Sequence, residues 1–258
     1  MAILYVASEA SELKPFAELL TGVRKLKWPI DYAYEGIWES RRMLLAANGA
    51  GPRLASQAVE VAIRAGMVAE LSSSKLEAVV STGYCGAIDS ALNELQVFVA
   101  TRVIDQKTNE VFECAPVQAE ATFASGPLLS QNEIAHDASA KQRLRDSGAL
   151  AVDMEAAGVA ARAKRAALPF ACIKVVSDGA SESFPLNFNE MRTEEGRLAR
   201  GKIVLHALTH PAVVPALLRL KKRTEGAAKV LGEFLVSCRI SAESRSGPVE
   251  PGAEPHSS

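Results

Sequence analysis

The chain predicts an α/β domain with a mostly parallel or mixed central sheet and helices on both faces. Three observations predict it. Strand-like apolar runs alternate with helical stretches along the sequence, the pattern of a sheet covered by helices. The runs at 2–7, 76–81 and 170–177 are apolar enough for strands inside a fold. Finally, Val152-Asp153-Met154-Glu155-Ala156-Ala157-Gly158, an alanine-rich run and Val175-Val176-Ser177-Asp178-Gly179 lay out strand, helix, strand. That unit aims Glu155 and Asp178 at the same sheet edge, where open α/β folds keep their ligands.

The elements follow in order. Residues 2–7 form the first strand, and 9–21 a helix with Leu13, Phe16, Leu19 and Leu20 on one face. Residues 30–37 and 41–48 are two antiparallel strands turning near Glu39-Ser40. Gly49-Ala50-Gly51-Pro52 leads into a helix over 53–70. The strand at 76–81 ends in Thr82-Gly83, and β structure follows over 95–104 and 110–124. Residues 132–147 are helical, 149–153 a strand, and a helix starts at Glu155. After the strand at 170–177 the chain turns polar up to Asn189, as a loop over a site does. Helices over 195–209 and 211–238 close the domain, placed at 1–240, with the second helix an extra C-terminal element. Residues 241–258 have the composition of a disordered tail.

The composition excludes several classes. A net charge of −1 gives no basic field for nucleic acid or an anionic membrane. No apolar run is long enough to span a bilayer, and the first residues lack the basic start of a signal peptide, so a cytoplasmic location is expected. Cys85, Cys114, Cys172 and Cys238 have no metal-ligand spacing and read as free thiols, mostly buried. His206 and His210 share a helix face without an acidic ligand and read as helix-end residues, so no metal is expected.

Several residues are candidates for chemistry. Glu9 and Glu12 begin the first helix, where the macrodipole favours carboxylates; Glu12 is the better candidate to orient a water. Gly49-Ala50-Gly51 permits close backbone approach to a ligand, but Leu54 fills the last position of a dinucleotide fingerprint. Arg53 pairs with an anion or only with solvent. Ser81-Thr82-Gly83-Tyr84-Cys85-Gly86-Ala87 makes either a backbone-lined pocket floor or a plain tight turn. Asp178 ends an apolar strand, partly desolvated, with Ser177 beside it to fix its orientation. A Ser-Asp turn cap before Gly179 is the alternative there.

Taken together these segments resemble the nucleoside phosphorylase superfamily, and within it the methylthioadenosine/S-adenosylhomocysteine nucleosidases. The matching pieces span about residues 2–209: Glu12, Gly49-Ala50-Gly51, Ser81 to Gly86, Val152 to Ala156, and Val176-Ser177-Asp178. The resemblance implies a three-layer αβα sandwich with a mixed, partly barrel-like central sheet. It implies cleavage of a purine nucleoside's N-glycosidic bond by hydrolysis, without a cofactor, in a homo-oligomer. Asp178 would protonate the base at N7 and Glu12 would activate water. Glu155 would bind the ribose hydroxyls, Met154 would pack under the sugar, and Phe188 would wall the 5′ side. Ser177, Gly83 and Tyr84 complete the implied substrate contacts.

Two departures stand out. Tyr84 occupies a position where these nucleosidases often carry a small hydroxyl residue, and Leu129 falls where an aromatic covers the base. If phosphate replaces water as nucleophile, Gly51 and Arg53 would bind it. The extended C-terminal part also resembles the hopanoid-associated phosphorylases. A futalosine-hydrolase-like role and a nucleoside-binding relative without turnover complete the alternatives.

Overall fold

The computed structural model describes residues 2–67, 76–184, 186–193, 197 and 199–241. Strand β1 (Ala2–Ala7) runs parallel to β4 (Arg41–Ala47) on one side and β5 (Leu76–Ser81) on the other. All six of its residues are buried, as a strand covered on both faces requires. Strand β3 (Tyr32–Trp38) pairs antiparallel with β4 across Glu39 and Ser40, both at positive φ. Two such residues in succession form the turn whose twist matches a hairpin's strands. Strand β2 (Thr21–Lys25) finishes that edge with every residue exposed.

On the other side β5 meets β12 (Phe170–Asp178), which serves two partners in succession. Residues 170–172 pair with β5, and the carboxyl-terminal half pairs with β6 (Tyr84–Ala87). The sheet continues through β11 (Ala151–Asp153), β10 (Ala124–Ser130) and β7 (Val97–Asp105) to β8 (Val111–Glu113). Strand β7 also pairs back onto β12, Val99 opposite Ile173. Strands β12, β6, β11, β10 and β7 therefore close into a barrel-like ring. A separate two-stranded sheet joins β9 (Val117–Gln118) to β13 (Arg239–Ile240).

Helices α1 (Ala10–Leu19) and α6 (Val214–Ser237) pack on one face of the sheet, α2 (Pro52–Met67) and α4 (Ala156–Arg165) on the other. This is the αβα arrangement with a mixed, partly barrel-like sheet that the resemblance implies. Small residues let the helices meet closely. A Cβ on Gly158 would lie 2.1 Å from the Pro52 carbonyl oxygen, and one on Gly232 2.9 Å from the Phe16 amide nitrogen. Either contact would push a helix away from its neighbour.

The sequence reading needs correction in several places. The first helix stops at Leu19, which is 37% exposed, while Leu13, Phe16 and Leu20 are buried. The next residues form β2 because the edge of the sheet offers pairing that periodicity does not reveal. The helix expected over 132–147 shrinks to α3 (Ala138–Leu144), because Asp137 caps it there by accepting from the Ala140 amide, and one 3₁₀ turn follows. The stretch 110–124 holds only β8 and β9, and the long strand begins at Ala124 instead. Strand β6 occupies part of what reads as a turn. The last two helices are α5 (Arg200–Thr209) and α6. The expected tail at 242–258, and residues 68–70 of the second helix, lie outside the described residues.

Among the described residues no helix is long and apolar enough to cross a membrane. No cluster of three metal-ligand side chains occurs among them either. All four cysteines are free, Cys114 half-buried and the others buried. His206 and His210 stack at 4.3 Å at the end of α5.

Candidate active site

A cavity of about 280 Å³ opens at the carboxyl ends of β11 and β12. Its wall includes Glu12, Tyr84, Met154, Glu155, Ser177, Asp178 and Phe188, carried by segments far apart in sequence. A wider groove of about 710 Å³ between β7, β8 and α4 has only Glu113 and Lys164 as charged lining residues. The smaller cavity, where acids converge, is the candidate active site.

Glu12 lies in the first turn of α1 and is 3% exposed. Its Oε1 accepts from the Ser8 hydroxyl at 2.6 Å and from the Glu9 amide at 2.9 Å. Its Oε2 accepts from the Tyr84 amide at 3.2 Å. Burial nevertheless raises its pKa above the ordinary glutamate value, against the opposing pull of the Ser8 bond and the Lys174 charge. Gly83 makes the Tyr84 contact possible. Its φ is +107°, and a Cβ there would lie 1.8 Å from Glu12 Oε2.

Glu155 stands at the mouth of α4, and its Oε1 accepts from the Gly51 amide at 2.9 Å. That bond ties the Gly49-Ala50-Gly51 turn to the helix start. Burial pushes the Glu155 pKa up to about 7, with the negative Asp153 and Glu12 adding to it and Lys174 opposing.

Lys174 is a cation in the middle of the fully buried β12. Its Nζ lies 2.7 Å from Asp153 Oδ2 and donates to the Thr82 carbonyl at 2.9 Å. Burial works against its charge, but Asp153 and Glu155 outweigh that and hold the ammonium more tightly than in an ordinary lysine. Asp153 also caps α4, accepting from the Ala156 amide at 3.0 Å.

Asp178 ends β12 beside a bulge. The register with β6 slips between Val176 and Asp178, leaving Ser177 the extra residue. Bulges of this kind re-aim side chains next to active sites. Ser177 Oγ donates to Asp178 Oδ1 at 2.6 Å and lies 3.3 Å from the Cys85 carbonyl. The other oxygen, Oδ2, accepts from Lys141 Nζ at 2.5 Å. The sequence suggested a carboxyl in an apolar setting; the fold instead presses a buried ammonium against it.

Of the residues singled out from sequence, Glu12, Tyr84, Met154, Glu155, Ser177, Asp178 and Phe188 share the cavity, and Gly83 shapes its floor. Gly51 and Arg53 are not in its wall. The Gly51 amide is committed to Glu155, and Arg53 is exposed. Leu129 is a correction: it packs inside a cluster with Ile88, Ala149 and Val152, because its side of β10 faces the core. Ile134 and Ala135 line the cavity instead. The Tyr84 hydroxyl donates to the Thr224 carbonyl of α6 at 2.9 Å, so this helix also walls the site, with Leu220. Sequence reasoning missed Asp153 in the cavity wall, and Lys141 and Lys174, which pair with Asp178 and Asp153 from outside it. A lone lysine amid Phe170-Ala171-Cys172-Ile173 and Val175-Val176 was a readable signal for Lys174; Lys141 gave none.

Residues 108–209 match the sequence model of the phosphorylase superfamily. Comparison with curated proteins by sequence gives no match. Among solved structures, the chain resembles the 5′-methylthioadenosine/S-adenosylhomocysteine nucleosidase of Neisseria meningitidis in complex with methylthio-immucillin-A. The TM-score is 0.68 at 18% identity, covering 92% of this chain and 97% of that one. The S-adenosylhomocysteine nucleosidase of Streptococcus pyogenes with 5-methylthiotubericidin gives 0.69 at 17%, covering 92% and 95%. A futalosine hydrolase mutant of Helicobacter pylori gives 0.66 at 15%, covering 92% and 97%. At these identities the structures speak for the fold. The sequence match over residues 108–209 and the shared fold are the likenesses this chain has to the phosphorylase superfamily.

Proposed function

We propose that this protein hydrolyses the N-glycosidic bond of a purine nucleoside, with adenine as base, of the 5′-methylthioadenosine or S-adenosylhomocysteine kind. The observation that carries the reading is the convergence of Glu12, Glu155 and Asp178 on one cavity. Such a bond breaks through an oxocarbenium-like sugar. Two effects lower that barrier: a proton for the departing base and negative charge near the cationic sugar. In this reading Asp178, oriented by Ser177, delivers the proton to N7. Glu155 grips the ribose hydroxyls, and Met154 packs under the ring. Glu12 takes the proton of the attacking water, and its burial-raised pKa suits that job. Phe188, set edge-on to Phe184 at 5.6 Å, walls the 5′ side.

Water is favoured over phosphate because the Gly51 amide is already bonded to Glu155, and a phosphate site needs free backbone amides. The likeness to futalosine hydrolase adds futalosine to the substrates worth testing. We assign residues 1–240 to one catalytic unit. A cytoplasmic homodimer acting in nucleoside catabolism and methionine salvage is the setting this reading implies.

The test is base release from methylthioadenosine, adenosylhomocysteine, futalosine and inosine, with and without phosphate. Phosphate-independent release of adenine is expected, with Asp178→Asn lowering kcat at least about 10²-fold, as loss of a general acid does. A strict phosphate requirement would overturn hydrolysis, and binding of every nucleoside without turnover would overturn catalysis.

A further inference from the structure

We propose that Lys141 is a positioning residue that keeps Asp178 supplied with the proton it gives to the leaving base. This rests on the reading of Asp178 as that donor. Both Asp178 oxygens accept hydrogen bonds, Oδ1 from Ser177 and Oδ2 from Lys141, as an ionised carboxylate does. A donor in that state has no proton of its own to give, so the proton must come from a neighbour. Lys141 is that neighbour. Its ammonium is 1% exposed and held by Asp178 at 2.5 Å and the Gly179 carbonyl at 2.6 Å. It lies behind Asp178 and outside the cavity wall, so it acts through Asp178 and does not touch the substrate.

The groups facing the pair leave it as the local proton store. The Phe184 ring lies 5.8 Å from Nζ. From the loop after β12, Glu182 accepts from the Gly179 amide and is paired with Arg223 of α6. His136 and Asp137 pair with each other at the start of α3. Cys85 on β6 is a thiol driven up by burial. Lys174 is occupied by Asp153.

The step balances. As the bond from sugar to base breaks, its electron pair goes to the base, and the Asp178 carboxyl passes a proton to the ring nitrogen. Lys141 Nζ passes one proton to Asp178 Oδ2 and becomes a neutral amine, later reprotonated from solvent. Water adds hydroxide to the sugar carbon and leaves its other proton with Glu12. The Ser177 hydroxyl can turn to the Cys85 carbonyl while Asp178 is protonated, since both acceptors are within its reach.

The experiment measures kcat/KM from pH 5 to 10 for wild type, Lys141→Met and Lys141→Arg. It uses methylthioadenosine and, in parallel, 4-nitrophenyl β-D-ribofuranoside, whose leaving group needs no proton. An ammonium keeps its proton far above the range where a lone carboxylic acid loses one. Lys141→Met should therefore fall progressively behind wild type as pH rises, its deficit growing at least about 10-fold between pH 5.5 and pH 8.5, within the general-acid range. Lys141→Arg keeps the cation but does not release its proton, and should lose about 10²-fold on methylthioadenosine. Both variants should cleave the nitrophenyl riboside at near wild-type rate. Parallel pH profiles for Lys141→Met and wild type would overturn the proposal, as would a fully active Lys141→Arg or equal losses on both substrates. Failure of the donor reading itself looks different: Asp178→Asn would cleave methylthioadenosine at the wild-type rate.

Discussion

Replacing Lys174 by methionine should cost most of the stability that one residue can contribute in this fold. Methionine has similar length and fills the space, so the loss is electrostatic. The Lys174 and Asp153 side chains are both 0% exposed and 2.7 Å apart. Removing one partner of a buried pair costs about 3–5 kcal/mol, because the other charge is left without compensation. Asp153 retains the Ala156 amide at 3.0 Å, which places the loss toward the lower end, about 3 kcal/mol. Whole domains are stable by only about 5–15 kcal/mol. In the variant burial pushes the orphaned carboxylate toward protonation in the fold, so its penalty is complete above the raised folded-state pKa, shrinks as pH falls from there toward the unfolded-state pKa of about 3.9, and is gone below it. The assay is urea unfolding at pH 7.5 and pH 4, comparing midpoints at constant slope. The double variant Lys174→Met/Asp153→Asn should recover about 2 kcal/mol of the single variant's loss, as coupled neighbours do. A Lys174→Met protein within about 0.5 kcal/mol of wild type at pH 7.5, the range of an ordinary surface change, would refute the reasoning.

Two further outcomes follow from the acids. With the Glu155 pKa at about 7, the folded protein binds a proton there that the unfolded chain releases near 4.5. Stability should therefore be highest below about pH 4.5 on this account and decline as pH rises to about 7, with Glu155→Gln flattening the decline. Gln keeps an oxygen for the Gly51 amide, so an unchanged slope in thermal melts across that window would remove Glu155 as the cause. Gly83→Ala sets a Cβ against Glu12 Oε2 at φ +107°, so it should displace the Glu12 carboxylate and cost about 1–3 kcal/mol in backbone strain. Activity should fall further than stability; a variant with wild-type kcat would show that Glu12's position does not matter.

Much of the fold was legible because its signals are local. A strand covered on both faces must be apolar along its whole length, and β1 and β12 are. The hairpin turn showed as polar residues between two apolar runs, and Glu39 and Ser40 take it up. Signals failed where pairing or a cap decided the outcome. Thr21–Lys25 is a strand only because β3 lies beside it, and α3 is short because Asp137 caps it late.

What the sequence by itself determined is where three acids stand: Glu12, Glu155 and Asp178 are at element ends, and element ends at one sheet edge meet in one cavity. What only the tertiary structure decided is what those acids touch. Lys141 reaches Asp178 across 37 residues, and the Gly51 amide reaches Glu155 across 104. Tyr84 meets Thr224 across 140. No periodicity encodes such contacts. A buried charge takes its partner from whichever element packing brings within hydrogen-bond reach, and only the closed fold fixes that choice.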